Sequence, residues 1–161
     1  MESIVNEDIL AKTPAQSRVE TCHIVRPMDM NSVHRLYGGV LMSWIDETAV
    51  LVARRHTQLS ITTGSVDNLR FLRPAYLHDT IVLIGKATYV GNTSMEVKVS
   101  TYVEQLSGER ELINEAYLTL IGLDENDKPC RLPRLIPQTE KEKEDWKKAE
   151  ERRKLRKLQN G

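Results

Sequence analysis

Residues 37–56 read YGGVLMSWIDETAVLVARRH, and this stretch decides the fold. Its apolar residues Leu41, Met42, Ile45, Ala49, Val50, Val52 and Ala53 cover most of a helix surface rather than one stripe. A helix apolar on nearly all sides belongs in the middle of a fold, where other elements enclose it. Two glycines, Gly38 and Gly39, stand at its start, and Asp46 and Glu47 interrupt its apolar run.

On either side of the helix the pattern changes to period two. Upstream, in Arg18 to Val25, Val19, Thr21, His23 and Val25 share one face and Glu20, Cys22 and Ile24 the other, which predicts a strand. It ends at Arg26-Pro27, and a polar loop, MDMNSVHRLYGG, leads into the helix. Downstream, alternation runs through Ser65 to Leu72 and Thr80 to Val90. A third run sets Met95, Val97, Val99, Thr101 and Val103 against Glu96, Lys98, Ser100, Tyr102 and Glu104, and a fourth covers Glu111 to Leu123. The third predicts a strand with one wet face. Arg73-Pro74, Val90-Gly91-Asn92 and Ser107-Gly108 supply turn residues between the runs. One helix cannot cover both faces of a five-stranded sheet, so the order predicts a sheet curved around the helix. The outer face and the edges then remain to be covered, and pairing with a second copy is the expected way to do so.

From Lys128 the stretch KPCRLPRLIP is broken by proline and reads as an extended strap. Thr139 with Glu142 forms a capping box, with acids early and Arg152, Arg153, Lys154, Arg156 and Lys157 late. That distribution suits the helix dipole and predicts a surface helix over Thr139 to about Lys157 whose basic end is a solvated face. The expected organisation is one domain over residues 16–128, followed by the strap and charged helix over 129–161.

Lysine plus arginine and aspartate plus glutamate both number 23 in 161 residues. No bulk field draws the chain to nucleic acid or an anionic membrane, so any anionic ligand needs a local cluster. The opening MESIVNEDILAKTPAQSRVE fits no secretory signal. The most apolar stretch, Val40 to Ala53, is far short of the roughly 20 residues of a membrane span. A cytoplasmic protein is expected. Cys22 and Cys130 lack metal or redox spacing, and the histidines stand singly, so no metal is expected.

Three requirements for acyl transfer fall close together. The first N–H groups of the helix, at Gly38 and Gly39, lack helical acceptors and are able to hold a developing oxyanion. Asp46 lies two turns on, on the same face as Gly39, Met42 and Ser43. Asn31, in the preceding loop, offers an amide that donates or accepts. Each has a plainer reading: a tight turn for the glycines, a favourable dipole position for Asp46, a loop cap for Asn31. The apolar flanks of Asp46 weigh the other way, because buried carboxylates have a partner or a task.

Taken together, RPMDMN at 26–31, YGGVLMSWIDETA at 37–49, ARRH at 53–56, VDNLRFLRP at 66–74, GNTSMEV at 91–97 and KPCRLP at 128–133 resemble the acyl-CoA thioesterase family of hotdog proteins, which includes bacterial short-to-medium-chain and brain-type acyl-CoA hydrolases. The resemblance implies an α+β hotdog fold, a five- to six-stranded antiparallel sheet around one long helix, and hydrolysis of acyl-CoA to a fatty acid and CoA. It implies Asp46, as general base or nucleophile, and Asn31 as a catalytic pair contributed by different subunits of a homodimer, with a trimer of dimers common among relatives. It also implies that Gly91, Asn92, Thr93 and Ser94 line the CoA groove and that Arg131 faces the nucleotide end. Coenzyme A enters only as substrate and product, and no other cofactor is implied. Many relatives have glycine where this chain has His34 and His78; the first bears on the loop geometry beside Asn31 and on acyl preference, and the second alters only a turn.

Two other functions fit a hotdog fold. A hydratase or dehydratase needs a histidine converging with a carboxylate, and the helix carries none before His56. A non-catalytic acyl-CoA-binding protein would bind ligand without releasing thiol.

Overall fold

The computed structural model of the protein describes residues 11–160. The first ten of the twenty residues read for a secretory signal lie outside them. After a short helix α1 (Pro14–Ser17) come β1 (Val19–Ile24), a single 3-10 turn at Pro27–Asp29, and the long helix α2 (Gly38–Thr57). Four strands follow, β2 (Ser60–Phe71), β3 (Thr80–Val90), β4 (Ser94–Glu104) and β5 (Arg110–Leu123), and then α3 (Glu140–Gln159).

The strands form one antiparallel sheet in the order β1-β3-β4-β5-β2. Helix α2 packs against all five strands, the hotdog arrangement that the resemblance implies. Its buried residues include Leu41, Ile45, Ala49, Val52 and Ala53, which meet the inward residues Leu83, Val97, Val99, Leu118 and Leu120 of the sheet. Close approach is set by Gly85 on β3: a Cβ there would lie 2.7 Å from Val52 Cγ2 and 3.1 Å from Thr48 Cγ2, closer than carbon atoms pack. The helix is less enclosed than its composition predicts. Ser43, Glu47, Leu51 and Arg54 are exposed along one side, so the sheet covers one face and leaves the other open.

Strand β2 is an edge, and it carries exposed Val66 and Phe71. Two register shifts, at Thr63/Ser65 and Asp67/Arg70, interrupt its pairing with β5. Such bulges bend a strand and re-aim its side chains. An apolar free edge of this kind invites a second chain.

Two expectations for the outer face are corrected. Strand β4 does not keep a wet face along its length, because Glu96 is 4% exposed beneath α3. Nor is the basic end of α3 solvated. Arg152 grips Glu96 through two bonds, 3.0 and 2.7 Å, and lies 3.9 Å over the Tyr117 ring, while Arg156 bonds Asp67 at 2.6 Å. Thr88 donates to Glu96 at 2.7 Å and completes its coordination. Charges early and late along α3 agree with the dipole, and the capping box of Thr139 and Glu142 forms as expected. The sequence pattern cannot show that acids lie opposite those cations, because they come from β2 and β4.

The strap is extended, and its Leu132 and Leu135 enter the core. His56, buried at the end of α2, bonds the Pro133 carbonyl at 3.0 Å and pins the strap to that helix.

Candidate active site

Asp46 lies in the third turn of α2, half-buried, on the side the sheet leaves open. Thr63 Oγ1 donates to Asp46 Oδ1 at 2.6 Å, the short length of a bond to a charged oxygen. No other group among the described residues bonds this carboxylate, so Oδ2 is available. Thr63 escapes the sequence reading because that reading starts the strand at Ser65, whereas β2 begins at Ser60. The signal was present: Ile61, Thr63, Ser65, Asp67 and Leu69 are the less exposed residues of the strand, and extending the alternation upstream puts Thr63 on that face.

Asn31 is held by its own loop. Its Oδ1 accepts from the Val33 N–H at 3.0 Å and the Arg35 N–H at 3.1 Å, and its backbone N–H bonds Arg35 O at 2.8 Å. The side-chain carbonyl is thereby committed, and the amide NH2 is the end left to donate. His34 sits in this loop at φ 59°, and His78 at φ 69°. Both therefore adopt the left-handed backbone that glycine takes most easily. The loop keeps a glycine-like path despite the histidine.

Beside Asn31 is a cavity of about 340 Å³ whose walls include Gly38, Leu41, Phe71 and Ile113. Leu41 and Val40 donate to Tyr37 O, whereas the Gly38 and Gly39 N–H groups find no acceptor among the described residues. Two donors at a helix start thus adjoin an amide donor and an apolar pocket. Asp46 does not line this cavity. Eight residues separate it from Gly38, about 12 Å along a helix at about 1.5 Å per residue.

Of the residues assigned to a CoA groove, Gly91, Asn92 and Arg131 line one cavity of about 770 Å³ between the strap, the β3–β4 turn and α3. Thr93 and Ser94 do not: the Thr93 carbonyl accepts from Gly122 N–H, and Ser94 begins β4. Burial, with Glu20 and Glu104 nearby, pushes the Cys22 thiol above its ordinary value. Burial lowers His23, which stacks on Trp44 at 4.1 Å, and also His56, below the ordinary histidine value. No histidine of the same chain bonds Asp46 among the described residues. No group of His, Cys, Asp and Glu there converges on a metal position, and no described helix is long and apolar enough to cross a membrane.

The sequence and this sheet around one helix have counterparts among known proteins. Residues 34–107 match the model of the thioesterase superfamily. An uncharacterized acyl-CoA thioester hydrolase of Bacillus subtilis is 42% identical over 128 residues, 79% of this chain and 74% of that protein. The cytosolic acyl coenzyme A thioester hydrolase of Rattus norvegicus is 32% identical over 143 residues, but the chain spans only 38% of its length. Among solved structures, a hexameric acyl-CoA thioesterase without ligand superposes with a TM-score of 0.89 at 36% identity, covering 94% of this chain and 97% of that one. The acyl-CoA hydrolase of Staphylococcus aureus, solved with butyryl coenzyme A, coenzyme A and coenzyme A disulfide, gives 0.86 at 32% identity, covering 93% and 94%. Variants of that enzyme with one aspartate, one asparagine or one threonine changed to alanine have also been solved. The chain belongs to the acyl-CoA thioester hydrolase family of the thioesterase superfamily.

Proposed function

We propose that the protein hydrolyses acyl-CoA thioesters to a free acid and CoA, in a site built from two protomers. The observation that carries the chemistry is Asp46: a half-buried carboxylate, one oxygen fixed by Thr63 and the other free, on the uncovered side of the central helix.

The thioester carbonyl points at the N–H groups of Gly38 and Gly39 and at the Asn31 amide, which offset the charge that develops on its oxygen. Asp46 takes a proton from water as that water attacks the carbonyl carbon. Thiolate is a good leaving group, so one carboxylate suffices and no cofactor is required. Attack by Asp46 itself, through a transient anhydride, uses the same residues. Thr63 holds the carboxylate in one orientation for either route.

The separation along α2 supports division between subunits. One protomer places Asn31 at the helix start and Asp46 about two turns further on, too far apart to serve one carbonyl. A two-fold axis beside the free β2 edge runs the two α2 helices antiparallel and brings Asp46 of one protomer toward Asn31 of its partner. Exposed Val66 and Phe71 at that edge favour such pairing. Three such dimers then make a hexamer, and one relative of known structure is hexameric.

The test is Asp46→Asn, which keeps the shape and removes the base. Thiol release from a panel of acyl-CoA esters should fall at least about a thousand-fold while calorimetric binding of CoA is retained. Hydrolysis by the variant within ten-fold of the parent would end this reading. Single-turnover hydrolysis in heavy-oxygen water separates the routes: label in the protein carboxylate marks attack by Asp46, and label confined to the product acid marks attack by water.

A further inference from the structure

The chemistry proposed above leaves one group at the start of α2 without a task. Tyr37, the residue that caps the helix, is 55% exposed, although its backbone is pinned on both sides. Its N–H bonds Asp29 O at 2.8 Å, and its carbonyl accepts from the Val40 and Leu41 N–H groups, each at 3.1 Å. Met30 pairs with Leu36 just before it, so one short ladder carries both Asn31 and Tyr37.

The ring is placed as firmly as the backbone. A Cβ on Gly39 would lie 2.7 Å from Tyr37 Cε1 and 3.1 Å from Cζ, closer than carbon atoms pack. The ring therefore fills the space that a side chain at position 39 would take, and glycine is required there for room. The hydroxyl, one bond beyond Cζ, stands beside Gly39 and has no hydrogen-bond partner among the described residues. Position 39 shares its helical face with Asp46.

The two sides of this helix start differ. Gly38 lines the cavity beside Asn31, together with the apolar Leu41, Phe71 and Ile113, whereas Tyr37 and Gly39 do not line it. Consider a thioester whose carbonyl oxygen meets the free N–H groups and whose acyl chain enters that cavity. Its sulfur then lies across the carbonyl carbon from the cavity, on the side of Gly39 and the Tyr37 ring. The unpartnered hydroxyl and the departing atom fall together.

We propose that Tyr37 is a further catalytic residue, whose hydroxyl donates a hydrogen bond to the thioester sulfur as the C–S bond breaks. The assignment rests on the thioesterase reading. As the tetrahedral intermediate collapses, the C–S electron pair moves onto sulfur. A phenol ionises near about 10 and a thiol near about 8.5, so the proton stays on the phenol while its bond to the thiolate strengthens. CoA departs as thiolate and takes its proton from water. The proton lost by the attacking water is held on Asp46 and returns to solvent.

The test is Tyr37→Phe, which keeps the ring against Gly39. With acyl-CoA, kcat should fall about five- to thirty-fold while KM stays within about two-fold. With an aryl thioester of the same acyl group, whose leaving thiolate is already stabilised by its ring, the variant and the parent should agree within about two-fold. Gly39→Ala, whose Cβ displaces the ring, should lower kcat to a similar extent in the parent and by no more than about two-fold in Tyr37→Phe. An undiminished kcat in Tyr37→Phe, a rise in KM alone, or an equal loss with both esters would overturn the assignment and leave the thioesterase reading standing. A parent protein that releases thiol from no acyl-CoA would remove both.

Discussion

Replacing Arg152 with methionine tests how α3 is held. In the parent protein the guanidinium makes two bonds to Glu96, with side-chain exposures of 18% and 5%. Methionine retains much of the packing over Tyr117 but leaves Glu96 under the helix with only the Thr88 hydroxyl for company. Breaking a buried pair from one side costs about 3–5 kcal/mol, because the remaining charge has lost both water and partner. At about 2–4 °C per kcal/mol for a chain of this size, the melting midpoint should fall by roughly 6–20 °C at fixed protein concentration. Release of α3 sets a ceiling on this cost, since Glu96 regains water once the helix lifts, so the amides of α3 should exchange faster as well. Adding Glu96→Gln to Arg152→Met removes the stranded charge and should recover most of the loss, giving a coupling energy of about 2 kcal/mol or more in a double-mutant cycle. A single variant within about 1 kcal/mol of the parent, with no rescue by Glu96→Gln, would show that the pair does not hold the helix.

Two further outcomes follow from the same geometry. Thr63→Val keeps the shape but removes the 2.6 Å bond to Asp46; kcat/KM for acyl-CoA should fall about ten- to hundred-fold, the worth of a hydrogen bond to a charged group, and Thr63→Ser should restore it. Undiminished activity in the valine variant would remove Thr63 from the site. His56 should make stability depend on pH. Burial holds it below its ordinary value of 6.5, with Lys12 acting in the same direction and the bond to Pro133 opposing. The unfolded chain therefore binds the extra proton first, so stability is full above pH 6.5 and is lost as pH falls from there toward the folded value. His23, also lowered, contributes in the same window. Denaturant titrations from pH 7.5 to 5 should show this loss, and a shallower one for His56→Gln; identical slopes would refute it.

Much of this molecule was legible in one dimension. Periods of 3.6 and 2 reflect which faces are buried, and they placed α2 and β3 with accuracy and the other long strands to within a few residues, apart from the early start of β2. The capping box of Thr139 and Glu142 marked the start of α3, because its bonds span only three residues. The family motifs singled out Asp46 and Asn31, and the alternation of β2 carried upstream puts Thr63 on the inward face, but its bond to Asp46 crosses from helix to strand and has no local signal.

What the chain order alone settled was local: the central helix, its glycine start, its carboxylate, and the alternation of the strands around it. What tertiary structure decided was every pairing between distant segments. Glu96 and Arg152 stand 56 residues apart, and neither the cover over β4 nor the cavity beneath Trp146 exists until α3 folds back across the sheet. Side-chain period reports which face of an element avoids water, whereas the identity of what covers it is set by packing in three dimensions.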